Sequence, residues 1–141
     1  MKELFPAFDE KINAILEELK VYTEKHMPGY EWHVYSSVRT AQEQYSLFKQ
    51  GRFGNPGVKV TALDGYKKKS SHQYGLAVDI VPFVNGGFTW VLHQDHWRYL
   101  GHLYRKYGLK WGGDWGDMPH GEWPRENKAI YREAWKWING R

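Results

Sequence analysis

Apolar positions along the chain switch between a helical and an extended period. Phe5, Phe8, Ile12, Ile15, Leu16, Leu19 and Tyr22 recur every three or four residues, with Glu17, Glu18 and Lys20 between them. This predicts a core-packing helix that stops before Pro28-Gly29. Trp32, Val34, Tyr35 and Val38 predict a strand over Glu31 to Val38. Thr40-Ala-Gln-Glu43 is a capping-box pattern that opens a helix from Ala41 to about Gln50, closed by Gly51. The stretch from Gly51 to Lys69 is rich in Gly, Pro and Lys, and only Val58 to Thr61 could form a strand within it. Leu76 to Pro82 is nearly continuous in apolar character, the mark of a central strand. Asn85-Gly86-Gly87 predicts a hairpin turn into Phe88 to Val91. Trp97, Leu100, Leu103, Tyr104 and Tyr107 give a further helix, capped by Asp95 and ended by Gly108. Leu109 to Gly113 and His120 to Trp123 read as short strands on either side of a Gly/Trp/Asp-rich loop. Ile130, Ala134, Trp137 and Ile138 predict a closing helix. The pattern is that of an α+β protein with one domain over residues 1–141, without repeats and without a separate wall-binding module.

Composition narrows the class. Aromatic residues make up 17% of the chain, which argues against disorder and for a packed core or a ring-lined cleft. Cysteine is absent, so neither disulfides nor a thiolate metal site contributes. The formal charge of +4 suits an anionic polymer, nucleic acid or cell wall, without choosing between them. No apolar run is long enough for a signal peptide or a membrane span. The expectation is a chain made in a cytoplasm, without membrane insertion, whose export depends on another protein.

Asp79 is the most informative residue. It interrupts the apolar strand, sharing a face with Ala77 and Val81, and an acid so placed needs a metal, an arginine or a proton. His72 stands seven residues before it, and His120 much later in the chain. Two histidines and a carboxylate with an open fourth position form a catalytic zinc set. Ser70 and Ser71 can add supporting hydrogen bonds, and Gly75 allows a tight turn between the first two ligands. Asp117 lies three residues before His120 and could act as base if Gly116 and Pro119 bend the loop. Asp114 is its rival. A competing group, His93, Asp95, His96 and His102, lies near a helix start and is explained by surface histidines. Arg39, at a strand-to-helix junction, is either a functional side chain on a rigid scaffold or a surface ion-pair partner. The Lys67-Lys68-Lys69 run is a solvated loop or an attractor for an anionic substrate.

Ser70-x-His72-x-x-Gly75-x-Ala77-x-Asp79, followed by Trp111-Gly-Gly-Asp-Trp115 and Asp117-x-Pro-His120, resembles the M15 zinc peptidases of the D-Ala-D-Ala carboxypeptidase type. The branch it looks most like is the L-alanoyl-D-glutamate endopeptidases, which include single-domain phage endolysins. Ser37-x-Arg39-Thr40 with Glu43-Gln44 resembles the stretch ahead of the first ligand, so the likeness spans roughly Val34 to Trp123. The resemblance implies that His72, Asp79 and His120 bind Zn2+ and that Asp117 is general base for the water at the metal. Arg39 would hold a substrate carboxylate or polarise its carbonyl. The implied fold is the hedgehog/D,D-peptidase-like one, a small antiparallel sheet flanked by helices. The implied partner is the peptidoglycan stem peptide, cut between L-Ala and D-Glu by a monomer that does not bind nucleic acid. As a phage lysin it would wait in the host cytoplasm until a membrane lesion released it to the wall. The alternatives are a D,D-carboxypeptidase or D-Ala-D-Ala dipeptidase on the same zinc site, and a non-catalytic zinc-stabilised module binding wall or nucleic acid. The family commonly has an aromatic residue after the last histidine. Gly121 stands there, which predicts a wider pocket beside the metal. Trp135 and Trp137, beyond the likeness, are expected in the core or a lid.

Overall fold

The computed structural model describes residues 3–140. Phe5 leads into Pro6 at the first helical position, where a missing N–H costs nothing. Helix α1 (Pro6–His26) then buries Phe8, Ile12, Ile15 and Leu19 along one stripe. Four further elements complete the first half of the fold: strand β1 (Glu31–Ser36), helix α2 (Ala41–Lys49), strand β2 (Ala77–Val84) and the two-residue strand β3 (Gly87–Phe88). Helix α3 (Gln94–Lys106), β4 (Lys110–Trp111), β5 (His120–Glu122) and α4 (Lys128–Asn139) follow. The sheet is antiparallel in the order β1-β2-β5-β4, with β3 hairpinned onto β2. This is the small antiparallel sheet with flanking helices that the sequence predicts.

Strand β2 divides the molecule. Val78 and Ile80 point into the core with Phe8, Leu100 and Tyr104, whereas Asp79 lies opposite His120 on the other face. Helix α2 starts as expected, with Thr40 and Glu43 capping each other's backbone N–H, but the one residue it buries is Gln44, beside Arg39. The helix therefore walls the Asp79 side of the sheet and adds little to the core.

Several expectations need correction. Val58 to Thr61 forms no strand. Side chains take its carbonyls, Gln50 donating to Val58 O (3.0 Å) and Arg52 to Thr61 O (2.9 Å), in place of a neighbouring strand. His93, not Asp95, caps α3, its ring accepting from the Asp95 N–H. The strand predicted over Leu109 to Gly113 shortens to Lys110–Trp111, because a 3-10 turn begins at Gly112.

Gly121 does not widen the pocket. It pairs with Val78 on the core face, where a Cβ would stand 2.2 Å from the Tyr104 ring. Tyr104 is fully buried and donates to Pro119 O (2.8 Å), so it cannot retreat without losing that bond. Gly121→Ala should therefore destabilise the fold by about 1–3 kcal/mol, an overpacking cost. Thermal denaturation would read this as a lower melting temperature, and an unchanged melting curve would contradict the packing argument.

Candidate metal centre

The site is assembled on three strands and one turn. Ser70 caps a 3-10 turn (Ser71–Tyr74) through its hydroxyl, which accepts from His72 N (3.2 Å), while the Gln73 side chain accepts from Ser70 N (2.9 Å). The turn closes on Gly75 at φ 70°, in the left-handed region glycine favours. His72 thus sits in a turn before β2, almost wholly buried. Ser71 bonds to Tyr131 Oη (2.9 Å), so Ser70 alone of the two serines supports His72 directly.

Each histidine has one nitrogen committed outward and one inward. His72 Nδ1 lies 2.6 Å from Ser37 O. A carbonyl only accepts, so Nδ1 carries the proton and Nε2 keeps its lone pair, 3.6 Å from Asp79 Oδ2. His120 Nε2 lies 2.7 Å from Glu122 Oε1 and donates to that carboxylate, which turns Nδ1 toward Asp79 Oδ1 at 3.3 Å. The three inward donors lie within 4.8 Å of one another. Ligands about 2.0–2.2 Å from a tetrahedral zinc stand roughly 3.3–3.6 Å apart, so the donor set and its spacing fit such an ion. Among the described residues this is the metal-competent grouping. The rival histidines are otherwise engaged: His93 caps α3, His96 Nδ1 bonds to Tyr22 Oη (2.6 Å), and the His102 ring lies against Tyr99.

The electrostatics follow from this packing. Burial, joined by the nearby Arg39 charge, lowers the His72 pKa to about 4. Burial pushes the His120 pKa down too, but pairing with Asp79 and Glu122 outweighs it and raises the value to about 9. For Asp79, burial acts upward and is overcome by His120, His72 and Arg39, leaving its pKa below the ordinary value. Burial and the Asp79 charge raise that of Asp117.

Arg39 lies beside this cluster. Its guanidinium donates to Gln44 Oε1 (3.1 Å) and Ser36 Oγ (3.3 Å) and stands 3.6 Å from Asp79 Oδ2. Its backbone N–H donates to His72 O (3.2 Å). It is both the ion-pair partner of Asp79 and a wall of the cleft. Asp117 is brought back by the bend the sequence requires: its N–H donates to Gly112 O (2.8 Å), and its O accepts from His120 N (3.2 Å). Gly112 is needed there, since a Cβ would lie 2.3 Å from Asp117 O. The Asp117 carboxylate is half exposed, 4.0 Å from His120 Nδ1. Asp114 points elsewhere, paired with Arg105 at 2.5 Å. The surrounding cleft holds about 800 Å³ between the 60–63 loop and the 115–117 loop.

Sequence reasoning missed Glu122 and Trp115. The signal for Glu122 was present: it lies two residues beyond His120 on a strand and so shares its face. Outer partners of this kind are worth about 10–100-fold in metal affinity. Glu122→Ala should weaken zinc binding by that order in a chelator competition, while Glu122→Gln, which can still accept from Nε2–H, retains most of it. Equal affinity in the alanine variant would remove Glu122 from the site. Trp115 presents its ring edge-on to His120, with centroids 5.8 Å apart, and lines the cleft.

Residues 64–123 match the M15 peptidase family model described as D-alanyl-D-alanine carboxypeptidase. The match holds all three candidate ligands and Asp117. It begins after Arg39 and Gln44, so the Ser37 to Gln44 stretch, placed inside the likeness by sequence reading, lies outside the matched segment. Three solved structures share the fold. The Serratia marcescens L-Ala D-Glu endopeptidase ChiX is 18% identical at a TM-score of 0.62, covering 89% of this chain and 84% of its own. The L,D-carboxypeptidase DacB of Streptococcus pneumoniae is 16% identical at 0.56, covering 93% and 72%. A mutant of the vancomycin resistance D,D-pentapeptidase VanY, in complex with Zn(II), is 18% identical at 0.55, covering 92% and 78%.

Proposed function

We propose that this chain, which resembles the M15 peptidases in sequence and in fold, is a zinc-dependent peptidoglycan endopeptidase that cuts the L-Ala–D-Glu bond of the stem peptide. The observation that carries the reading is the convergence of His72 Nε2, an Asp79 oxygen and His120 Nδ1, with each ring's other nitrogen tied to an acceptor. Zinc held there supplies Lewis acidity toward the scissile carbonyl and acidifies water to a pKa of about 7. Asp117 then accepts the proton of the attacking water and passes it to the leaving amine. Arg39, fixed by Ser36 and Gln44, offers its charge to a substrate carboxylate or to the oxygen of the attacked carbonyl.

The choice of the L-Ala–D-Glu bond leans on the likeness to ChiX. The family description and VanY favour a second reading, removal of a terminal D-Ala by the same site. Digestion of purified peptidoglycan separates the two. A new D-Glu amino terminus identifies the endopeptidase, released D-Ala identifies the carboxypeptidase, and neither product, with zinc bound, leaves a non-catalytic module. The assignment of this chain to the phage-type lysins rests on the motif resemblance of Ser70 to Asp79 and Asp117 to His120 alone. No helix among the described residues is long and apolar enough to cross a membrane.

A further inference from the structure

The C-terminal helix carries a second surface that the cleft does not use. Residues 128, 131, 132, 135 and 136 follow the spacing of one helical face. That face holds Lys128, Arg132 and Lys136 together with the rings of Tyr131 and Trp135. It borders a groove of about 530 Å³, whose other wall is Lys69, Tyr74 and Arg125. Five cations line the groove, and none of its described lining residues is acidic.

The rings are held in place. Tyr74 packs against both Tyr131 and Trp135, with centroids 5.0 Å apart in each case. Lys69 Nζ lies 5.4 Å from the centre of the Trp135 ring, and Arg125 donates to Lys69 O (2.8 Å). Trp135 is therefore a half-buried wall with a cation beside it. Trp137 instead packs edge-on against Phe5, partly buried at the margin of the core. Arg125 lines both this groove and the metal-centre cleft, so the two are neighbours on either side of that side chain.

We propose that this groove is a subsite for an anionic glycan of the cell wall, seating a polymer strand while its stem peptide enters the cleft. Pyranose rings present C–H faces that stack on the accessible part of the Trp135 ring, which buried Tyr131 and half-buried Tyr74 brace from behind, and the cations meet carboxylate groups along the strand. The assignment of wall as the polymer rests on the function proposed above. The groove itself rests on its own charge, its rings and its place beside the cleft across Arg125.

The test measures binding apart from hydrolysis. Asp117→Ala protein is sedimented with intact sacculi across a salt series, with and without the added changes Lys128→Ala, Arg132→Ala and Lys136→Ala. These three exposed side chains lie outside the cleft. The proposal expects affinity to fall at least about tenfold at low ionic strength, with the difference shrinking as salt rises. In an Asp117 background, the triple variant should cleave a short soluble muropeptide at the parental rate. Sacculi stripped of phosphate polymers identify the source of the charge: retained binding supports the subsite for the peptidoglycan strand, whereas lost binding would assign the groove to a phosphate polymer and overturn it. Parental sedimentation of the triple variant would overturn it. So would a DNA duplex held more tightly than sacculi and lost by the same variant, which would make the groove a nucleic-acid site. If peptidoglycan hydrolysis is absent while groove-dependent binding persists, the function proposed above fails and the subsite stands.

Discussion

Asp117→Ala should lower peptide hydrolysis by about 10²–10⁴-fold, the usual worth of a positioned general base, while zinc content stays that of the parent. The expectation comes from where the side chain stands. It is half exposed on the cleft, beside His120 Nδ1, and contributes no hydrogen bond that holds the loop. The loop is held by its backbone, through Asp117 N–H to Gly112 and Asp117 O from His120 N, and alanine keeps both. In the metal-free protein, burial and the neighbouring Asp79 charge raise its pKa above that of an ordinary aspartate. Metal analysis, melting temperature and turnover on a soluble muropeptide together decide the matter. Lost turnover with full zinc content identifies the base, whereas parental turnover would take Asp117 out of the reaction.

Chelation should abolish hydrolysis, and added zinc should restore it, with an affinity that depends on pH in a defined direction. At pH 7 the metal-free protein holds His120 protonated, since its pKa is raised to about 9. His72, lowered to about 4, is already neutral. Zinc must displace the His120 proton, so binding releases about one proton. Apparent affinity should therefore rise about tenfold per pH unit from neutrality until it levels near pH 9. Calorimetry in buffers of different ionisation enthalpy counts the proton directly. A pH-independent affinity between 7 and 9 would mean that zinc displaces no proton from His120 over that range.

Much of this was legible because the chain repeats itself in consistent periods. The Phe8-Ile12-Ile15-Leu19 stripe and the apolar run around Asp79 each have one low-energy arrangement, and both formed. Asp79 was informative because it violates the pattern it sits in. The long connection before Ser70 was opaque for the converse reason. Its order comes from side chains bonding to backbone, as when Asp64 Oδ1 accepts from Tyr66, Lys67 and Lys68 N–H, and periodicity does not record such bonds. Gly121 misled because its neighbour in sequence faces the metal centre. Only the pleat shows that Gly121 itself faces Tyr104. Arg39 was visible as a junction residue, but its tie to Asp79 depends on the bulge that sets Ser36 opposite Asp79 in β1-β2 pairing.

The strand order carries a consequence for how this protein comes apart. Ser37 follows β1, Asp79 is on β2, and His120 with Glu122 is on β5, three neighbours in the sheet. An ion gripped by this set acts as a rivet through the middle of the sheet. Strands β2 and β5 cannot part while it stays, and the turn that carries His72 is tied to both, so the metal should leave before or with the separation of these two strands. Resistance to unfolding then becomes a property of the surroundings as well as of the chain. Each tenfold rise in free zinc above the dissociation constant adds about 1.4 kcal/mol, and the same molecule is frailer wherever zinc is scarce.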